Sequence, residues 1–82
     1  MKFNAFCEVM FNLLEREPVT VSETTNLKDE LDVDSLEMVN LLTSLVDHYQ
    51  IPFSSFIENA DKLGTVGGLY SIIKEGLSDE SI

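Results

Sequence analysis

Basic residues are scarce in this sequence, and the few present are spread along the chain. Five lysines and arginines stand against 15 aspartates and glutamates, which gives a formal net charge of -10 over 82 residues. Binding to nucleic acids depends on clustered positive side chains that neutralise phosphates, and the sequence has no such cluster. The charge therefore excludes a nucleic-acid-binding role and predicts basic protein partners.

Cysteine is rarer still, since Cys7 is the single example. A lone cysteine forms no internal disulfide and has no second cysteine for a metal site. It lies in an apolar helical stripe, so we expect it to be a buried core residue. No apolar run approaches the roughly 20 residues of a membrane span, and the first residues lack the apolar segment of a signal peptide. These absences predict a cytoplasmic protein without a membrane span.

The short length also limits the chemistry. A chain of this size buries only about 60% of the surface that its unfolded form exposes, which leaves little space for an enclosed active site. With 44% apolar residues, the chain still has enough hydrophobic material to fold. We therefore predict a single small globular domain that is not an enzyme.

Apolar residues recur at spacings of three and four, which predicts an all-α fold: a small bundle of three main helices plus one short helix. The first helix is expected over residues 2–15, and a long loop follows it. Asp34 and Glu37 form a D-x-x-E capping box that begins the second helix. Pro52 then ends that helix at about Gln50.

The later elements are less regular. A short helix is predicted near residues 59–63, and Thr65 is expected to cap a last helix that Gly76 and the acidic tail end. We predict one domain over residues 1–77, with residues 78–82 as the tail. Four apolar residues are expected to anchor the region before the last helix to the core: Phe53, Phe56, Ile57 and Leu63.

Catalytic constellations are nearly absent. His48 is the only histidine, and no serine or cysteine is placed to act with it, so we interpret it as a solvated helix residue. The acidic cluster over residues 29–37 resembles the start of a calcium-binding EF-hand loop. Counted from Glu30, however, Ser35 stands where glycine is required and Leu41 where glutamate is required, and the frame two residues later fails in the same way. A calcium sensor would lack these essential residues.

Ser35 is the remaining candidate. It follows Asp34 at the start of the second helix, where its hydroxyl should lie near unpaired backbone N–H groups and the positive end of the helix dipole. This position favours an attached phosphate. On position alone, a serine that simply fits a helix start is the better explanation.

The neighbouring residues distinguish these interpretations. Asp34-Ser35-Leu36 resembles the D-S-L signature of acyl and peptidyl carrier proteins, and the similarity extends over nearly the whole chain in the order of its elements. The other matching positions are Ile51-Pro52 and Thr65-Val66. The resemblance implies that Ser35, flanked by Asp34 and Leu36, accepts 4'-phosphopantetheine as a covalent prosthetic group. The thiol of that group would carry an acyl, aminoacyl or ketide cargo as a thioester.

The resemblance also implies the partners. They are a phosphopantetheinyl transferase, a loading ligase, adenylating enzyme or acyltransferase, and a downstream synthase or transferase with a basic docking patch. In the family, the second helix and the loop before it form the docking surface, and a solvated acidic face is the alternative interpretation of the acids. The positions that match the docking surface, beside Asp34 and Leu36, are Asp32, Glu37, Met38, Val39 and Asp47.

Some residues depart from the family pattern. Asp32 stands where the family often has glycine, a substitution that Asp tolerates if the backbone there is left-handed. The second helix is poorer in acids than in fatty-acid carriers, and Phe53 and Phe56 replace customary acids after it. These features favour a free-standing carrier of a specialised polyketide, nonribosomal peptide or acyl-transfer pathway over one of primary fatty acid synthesis.

A second interpretation is an acidic helical adaptor that binds a basic partner without a prosthetic group. For the carrier we expect a monomer. The sequence leaves open whether the cargo lies in the groove between the second helix and the later helices or stays exposed.

Overall fold

The protein folds as a bundle of α-helices, described by a computed structural model that covers residues 2–80, with side chains through residue 77. A 3-10 turn, Ala60–Lys62, separates the last two helices. Within the described residues there is no β-strand, and an isolated bridge joins Asn26 to Thr65. The predicted all-α fold class is confirmed. The four helices are α1 Phe3–Leu14, α2 Ser35–Tyr49, α3 Ser54–Glu58 and α4 Val66–Glu80.

The core forms where the apolar stripes of the helices meet. The Phe6 ring of α1 lies with its centroid 6.4 Å from that of Tyr49 and 5.8 Å from that of Tyr70, so one aromatic side chain joins three helices. The predicted stripe of α1 is confirmed, although Cys7 is half-buried rather than fully enclosed. The fully buried side chains are Phe6, Met10, Leu27, Val33, Leu41, Leu45, Phe56, Val66, Leu69, Ile72 and Ile73.

The long loop between α1 and α2 is fixed to the start of α4. The N–H of Leu27 donates to the carbonyl of Gly64 at 2.9 Å, and the N–H of Val66 donates to the carbonyl of Thr25 at 3.0 Å. Leu27 is fully buried. These contacts pair backbone groups that a loop would otherwise leave to solvent. They also bring the residues before α2 against those before α4.

The predicted position of the short helix, residues 59–63, is wrong. The chain becomes helical directly after Pro52, as Ser54–Glu58, and the 3-10 turn occupies most of the predicted range. A single helical turn buries one narrow face, so Phe56 reaches the core while Phe53 and Ile57 are exposed. The expectation that Phe53 and Ile57 anchor the core is therefore wrong.

The last helix begins as predicted but extends further. The Thr65 hydroxyl accepts a hydrogen bond from the N–H of Gly68 at 3.0 Å, which confirms the predicted cap. Gly76 does not end α4, because its missing side chain allows close packing: a Cβ there would lie 2.9 Å from Cγ2 of Ile51. The helix runs into the predicted tail as far as Glu80. Residues 81–82 of that tail lie outside the described part of the chain.

Candidate functional site

Ser35 is the first residue of α2, and it is exposed. Asp34 caps the helix, since its backbone is extended and its Oδ1 accepts a hydrogen bond from the N–H of Glu37 at 2.8 Å. The carbonyl of Asp34 accepts the N–H of Met38 at 2.9 Å. The predicted cap is confirmed. Ser35 is thus an exposed residue at the positive end of a 15-residue helix whose first turn is well defined.

Only one of the two hydrogen bonds of the predicted capping box forms. In a complete box, the Glu37 carboxylate would accept from the N–H of Asp34. Here that carboxylate accepts instead from the Arg16 guanidinium, with Nη2 at 2.8 Å from Oε1 and 2.7 Å from Oε2. The arginine takes the place of the reciprocal cap: both partners of this pair are charged, and one guanidinium nitrogen reaches both carboxylate oxygens.

The loop that leads into the site has one unusual backbone conformation. Asp32 has a φ of 55°, which is the left-handed region. Glycine is common at this place among the carrier proteins that the sequence resembles, and a left-handed backbone is the condition under which aspartate is tolerated there. The next residue, Val33, is buried and its N–H donates to the carbonyl of Leu27 at 3.0 Å. The left-handed residue therefore directly precedes the buried anchor Val33, from which the chain reaches Asp34 and the exposed start of α2.

A cavity of about 310 Å³ opens beside Ser35. Its walls are mainly apolar, because Val33, Met38 and Leu63 contribute most of the hydrocarbon surface. Two of its lining residues come from the connection before α4, far away in sequence. The sequence offered no signal for them, since the hydrogen bond between Leu27 and Gly64 creates the juxtaposition. The complete lining is Lys28, Val33, Asp34, Ser35, Met38, Leu63 and Gly64.

The predicted docking residues separate into three groups. Leu36 and Val39 are 71% and 55% exposed and lie one helical turn apart, so they form an apolar patch next to Ser35. Met38 is half-buried and lines the cavity instead. Asp47 is exposed but lies near the other end of α2, about 18 Å along the helix axis from Ser35.

The acids near Ser35 also differ in availability. Asp32 and Asp34 are exposed. Glu37 is only partly exposed and is bound to Arg16, so much of its charge is already neutralised within the protein. The exposed negative charge nearest to Ser35 in sequence therefore comes from the two aspartates, and Asp29 and Glu30 are exposed further back in the same loop.

The other candidate chemistries have little support within the described residues. No group of three or more histidine, cysteine or carboxylate side chains there is arranged to hold a metal ion. His48 is exposed, as predicted, with its ring centroid 4.8 Å from that of Tyr49. Burial raises the pKa of the Cys7 thiol, which favours its protonated form. No helix among residues 2–80 has the length and apolar character required to cross a membrane.

A helical bundle with an exposed serine at a helix start and no catalytic constellation is typical of a carrier protein. The chain matches a family model described as "Phosphopantetheine attachment site" over residues 4–69. It is also similar to an acyl carrier protein of Lactobacillus acidophilus, with 29% identity over 72 residues that cover 88% of each chain. No solved structure matches significantly.

The chain therefore belongs to the phosphopantetheine attachment-site family. It is a carrier protein and not an enzyme, and its prosthetic group is 4'-phosphopantetheine. A carrier depends on partner enzymes that attach the group and load and unload it. The interpretation as an adaptor without a prosthetic group is disfavoured by this membership.

Proposed function

We propose that Ser35 bears the 4'-phosphopantetheine arm and that the protein presents thioester-bound acyl, aminoacyl or ketide groups to partner enzymes. The observation that carries this proposal is the exposure of Ser35 as the first residue of α2. A carrier needs one accessible hydroxyl and a docking surface, and its partners supply the acids and bases. Ser35 is thus a site of modification and has no catalytic role.

The residues around Ser35 fit a phosphate ester. The first N–H groups of a helix have no partner within the helix, and together with the dipole they favour a negative charge. Lys28 adds a positive side chain among the residues that line the adjoining cavity. When bound, the prosthetic group supplies the thiol that forms the thioester. The protein supplies the attachment point and the surface that partners recognise.

The decisive experiment is intact mass spectrometry after incubation with coenzyme A and a promiscuous phosphopantetheinyl transferase. We expect the mass of one phosphopantetheine to be added, and Ser35→Ala to abolish the addition. Ser54→Ala is the matched control, because Ser54 is also an exposed first residue of a helix. An unmodified wild-type protein, or modification that persists in Ser35→Ala, would overturn the assignment and favour an adaptor.

We propose further that an apolar cargo enters the cavity beside Ser35, whose walls are mainly hydrocarbon. A ligand that binds only the folded state raises stability. An acylated protein should therefore melt at a higher temperature than the protein with the free thiol, and the difference should grow with the length of the acyl chain. Equal melting temperatures would show that the cargo stays in solvent.

The proposed pathway is specialised polyketide, nonribosomal peptide or acyl-transfer chemistry. Supporting this, α2 contains only two acids, Glu37 and Asp47, and Arg16 neutralises the first. Electrostatic complementarity chiefly sets encounter rate and partner choice, so an acid-poor α2 should be a weak partner for enzymes that select acid-rich carriers. The test is elongation by a reconstituted bacterial fatty acid synthase. Efficient elongation on this carrier would contradict the pathway assignment.

A further inference from the structure

Arg16 connects three parts of the protein that are distant in sequence. Its backbone follows α1 and is fixed there, because its N–H donates to the carbonyl of Phe11 at 3.1 Å. Its guanidinium donates to the carbonyls of Leu31 and Asp32, the second at 3.2 Å from Nη2. It also forms the ion pair with Glu37 in the first turn of α2. One side chain thus joins the end of α1, the loop and the start of α2.

These contacts fall on both sides of Ser35 in sequence. Asp32 lies three residues before it and Glu37 two residues after it. The two carbonyls belong to the peptide groups on either side of Asp32 Cα, which has the left-handed φ of 55°. Aspartate is one of the L-residues that adopt this conformation more readily, but it still carries a conformational cost, which contacts with the flanking carbonyls can offset. A guanidinium suits this task because its planar fork presents several donors in a fixed geometry.

We propose that Arg16 is a positioning residue: it holds the turn at Asp32 and the first turn of α2 in the arrangement that a phosphopantetheinyl transferase recognises around Ser35. This inference rests on the proposed function. Arg16 acts through the loop and through Glu37 on either side of Ser35, and no hydrogen bond joins it to the serine. It is the residue that converts a loop with a rare backbone conformation into a fixed recognition surface.

The proposal predicts a change opposite in sign to that of a pure charge effect. Removal of Arg16 frees the Glu37 carboxylate and makes the docking face more negative, which by charge alone should lower the KM of a transferase with a basic patch. Loss of positioning raises the KM instead, because the transferase binds only the fraction of molecules with the correct turn. If roughly one molecule in ten retains it, the KM rises roughly tenfold while kcat changes little.

Three variants separate the effect of positioning from the effect of charge. Arg16→Ala removes all contacts of the guanidinium, and Arg16→Lys keeps the charge but loses the fork. Lys74→Ala is the charge-matched control, because it also removes one positive charge. This lysine is on α4, where it lies over the Tyr70 ring. We expect a raised KM for Arg16→Ala and a partial return for Arg16→Lys, with the control near wild type. Should the alanine variant be unfolded at the assay temperature, the lysine variant alone must still show the raised KM.

Amide hydrogen exchange gives a second readout that does not depend on modification. Val33 donates its N–H to Leu27, so its exchange should quicken in both Arg16 variants while exchange in the middle of α4 stays unchanged. A wild-type KM and unchanged Val33 exchange in Arg16→Ala would overturn the inference, as would complete rescue by Arg16→Lys. If wild-type protein is never modified at Ser35, the proposed function fails, and the exchange measurement still decides whether Arg16 fixes the loop.

Discussion

The apolar patch at the start of α2 provides the sharpest test of the proposed docking surface, because Leu36 and Leu45 occupy one helix in opposite environments. Leu36 is 71% exposed and Leu45 is fully buried. Full burial of a leucine side chain contributes about 1.5–3 kcal/mol, so the buried remainder of Leu36 contributes less than about 1 kcal/mol to the free energy of unfolding. Leu36→Ala should therefore leave the fold nearly as stable as the wild type.

Leu45→Ala should behave differently. A truncated core leucine loses its transfer free energy and leaves a cavity, at a cost of about 2–5 kcal/mol. In a domain of this size, that loss lowers the melting temperature by about 10 °C or more. Thermal unfolding followed by circular dichroism measures both effects, and the difference between the two variants is the quantity of interest.

For phosphopantetheine transfer, we expect the order of the two leucines to be the reverse of that for stability. If a transferase buries Leu36, its truncation costs more than about 1 kcal/mol of binding, and the KM for phosphopantetheine transfer rises roughly fivefold or more. Val19→Ala is the matched control, because Val19 is an exposed apolar residue of the loop, outside the patch. A KM for Leu36→Ala equal to that of Val19→Ala would refute the docking assignment. A melting temperature as low as that of Leu45→Ala would refute the calculation from exposure.

Three further predictions concern the fold around the site. Asp34→Ala removes the cap of α2 and should cost about 1 kcal/mol in chemical denaturation, whereas Asp34→Asn should retain most of the stability. Gly68→Ala places a Cβ against the carbonyl oxygen of Lys62 and should lower the free energy of unfolding by about 1–3 kcal/mol. Gly64→Ala is the control, because a Cβ there meets no atom within 4 Å and should leave the stability unchanged. Because burial raises the pKa of the Cys7 thiol, its alkylation rate should inflect at a higher pH in folded than in urea-unfolded protein; coincident inflections would contradict this.

Much of the fold could be predicted from local patterns. The periodic apolar residues of α1 and α2, the cap at Asp34 and the cap at Thr65 all depend on interactions within a few residues, which sequence reasoning captures. The left-handed backbone at Asp32 was not predicted as such; it meets the condition under which an aspartate is tolerated at that place in the motif. These features set the position and exposure of Ser35.

The features that the sequence did not predict correctly share one physical cause: they depend on contacts between residues that are distant in sequence. α3 begins directly after Pro52, where its weak local signal is overridden by the burial of Phe56. Gly76 stays helical because Ile51 packs closely against it. The cavity depends on the hydrogen bond between Leu27 and Gly64, and no local pattern indicates that pairing.

The side chains of α2 lie in three different environments, so different substitutions test the different proposed functions. Leu41 and Leu45 face the core, Met38 lines the cavity, and the patch of Leu36 and Val39 faces solvent. If the proposed roles hold, substitutions of Leu45 should act on stability, those of Leu36 on docking, and those of Met38 on the cavity and, because Met38 also packs against the core, on stability. A carrier must deliver its cargo by the motion of a flexible arm, and a fixed attachment point makes that arm the moving part. We proposed Ser35 as that point and the contacts of Arg16 as what holds the residues around it, so a change at Arg16 is expected to affect recognition even though Ser35 itself is intact.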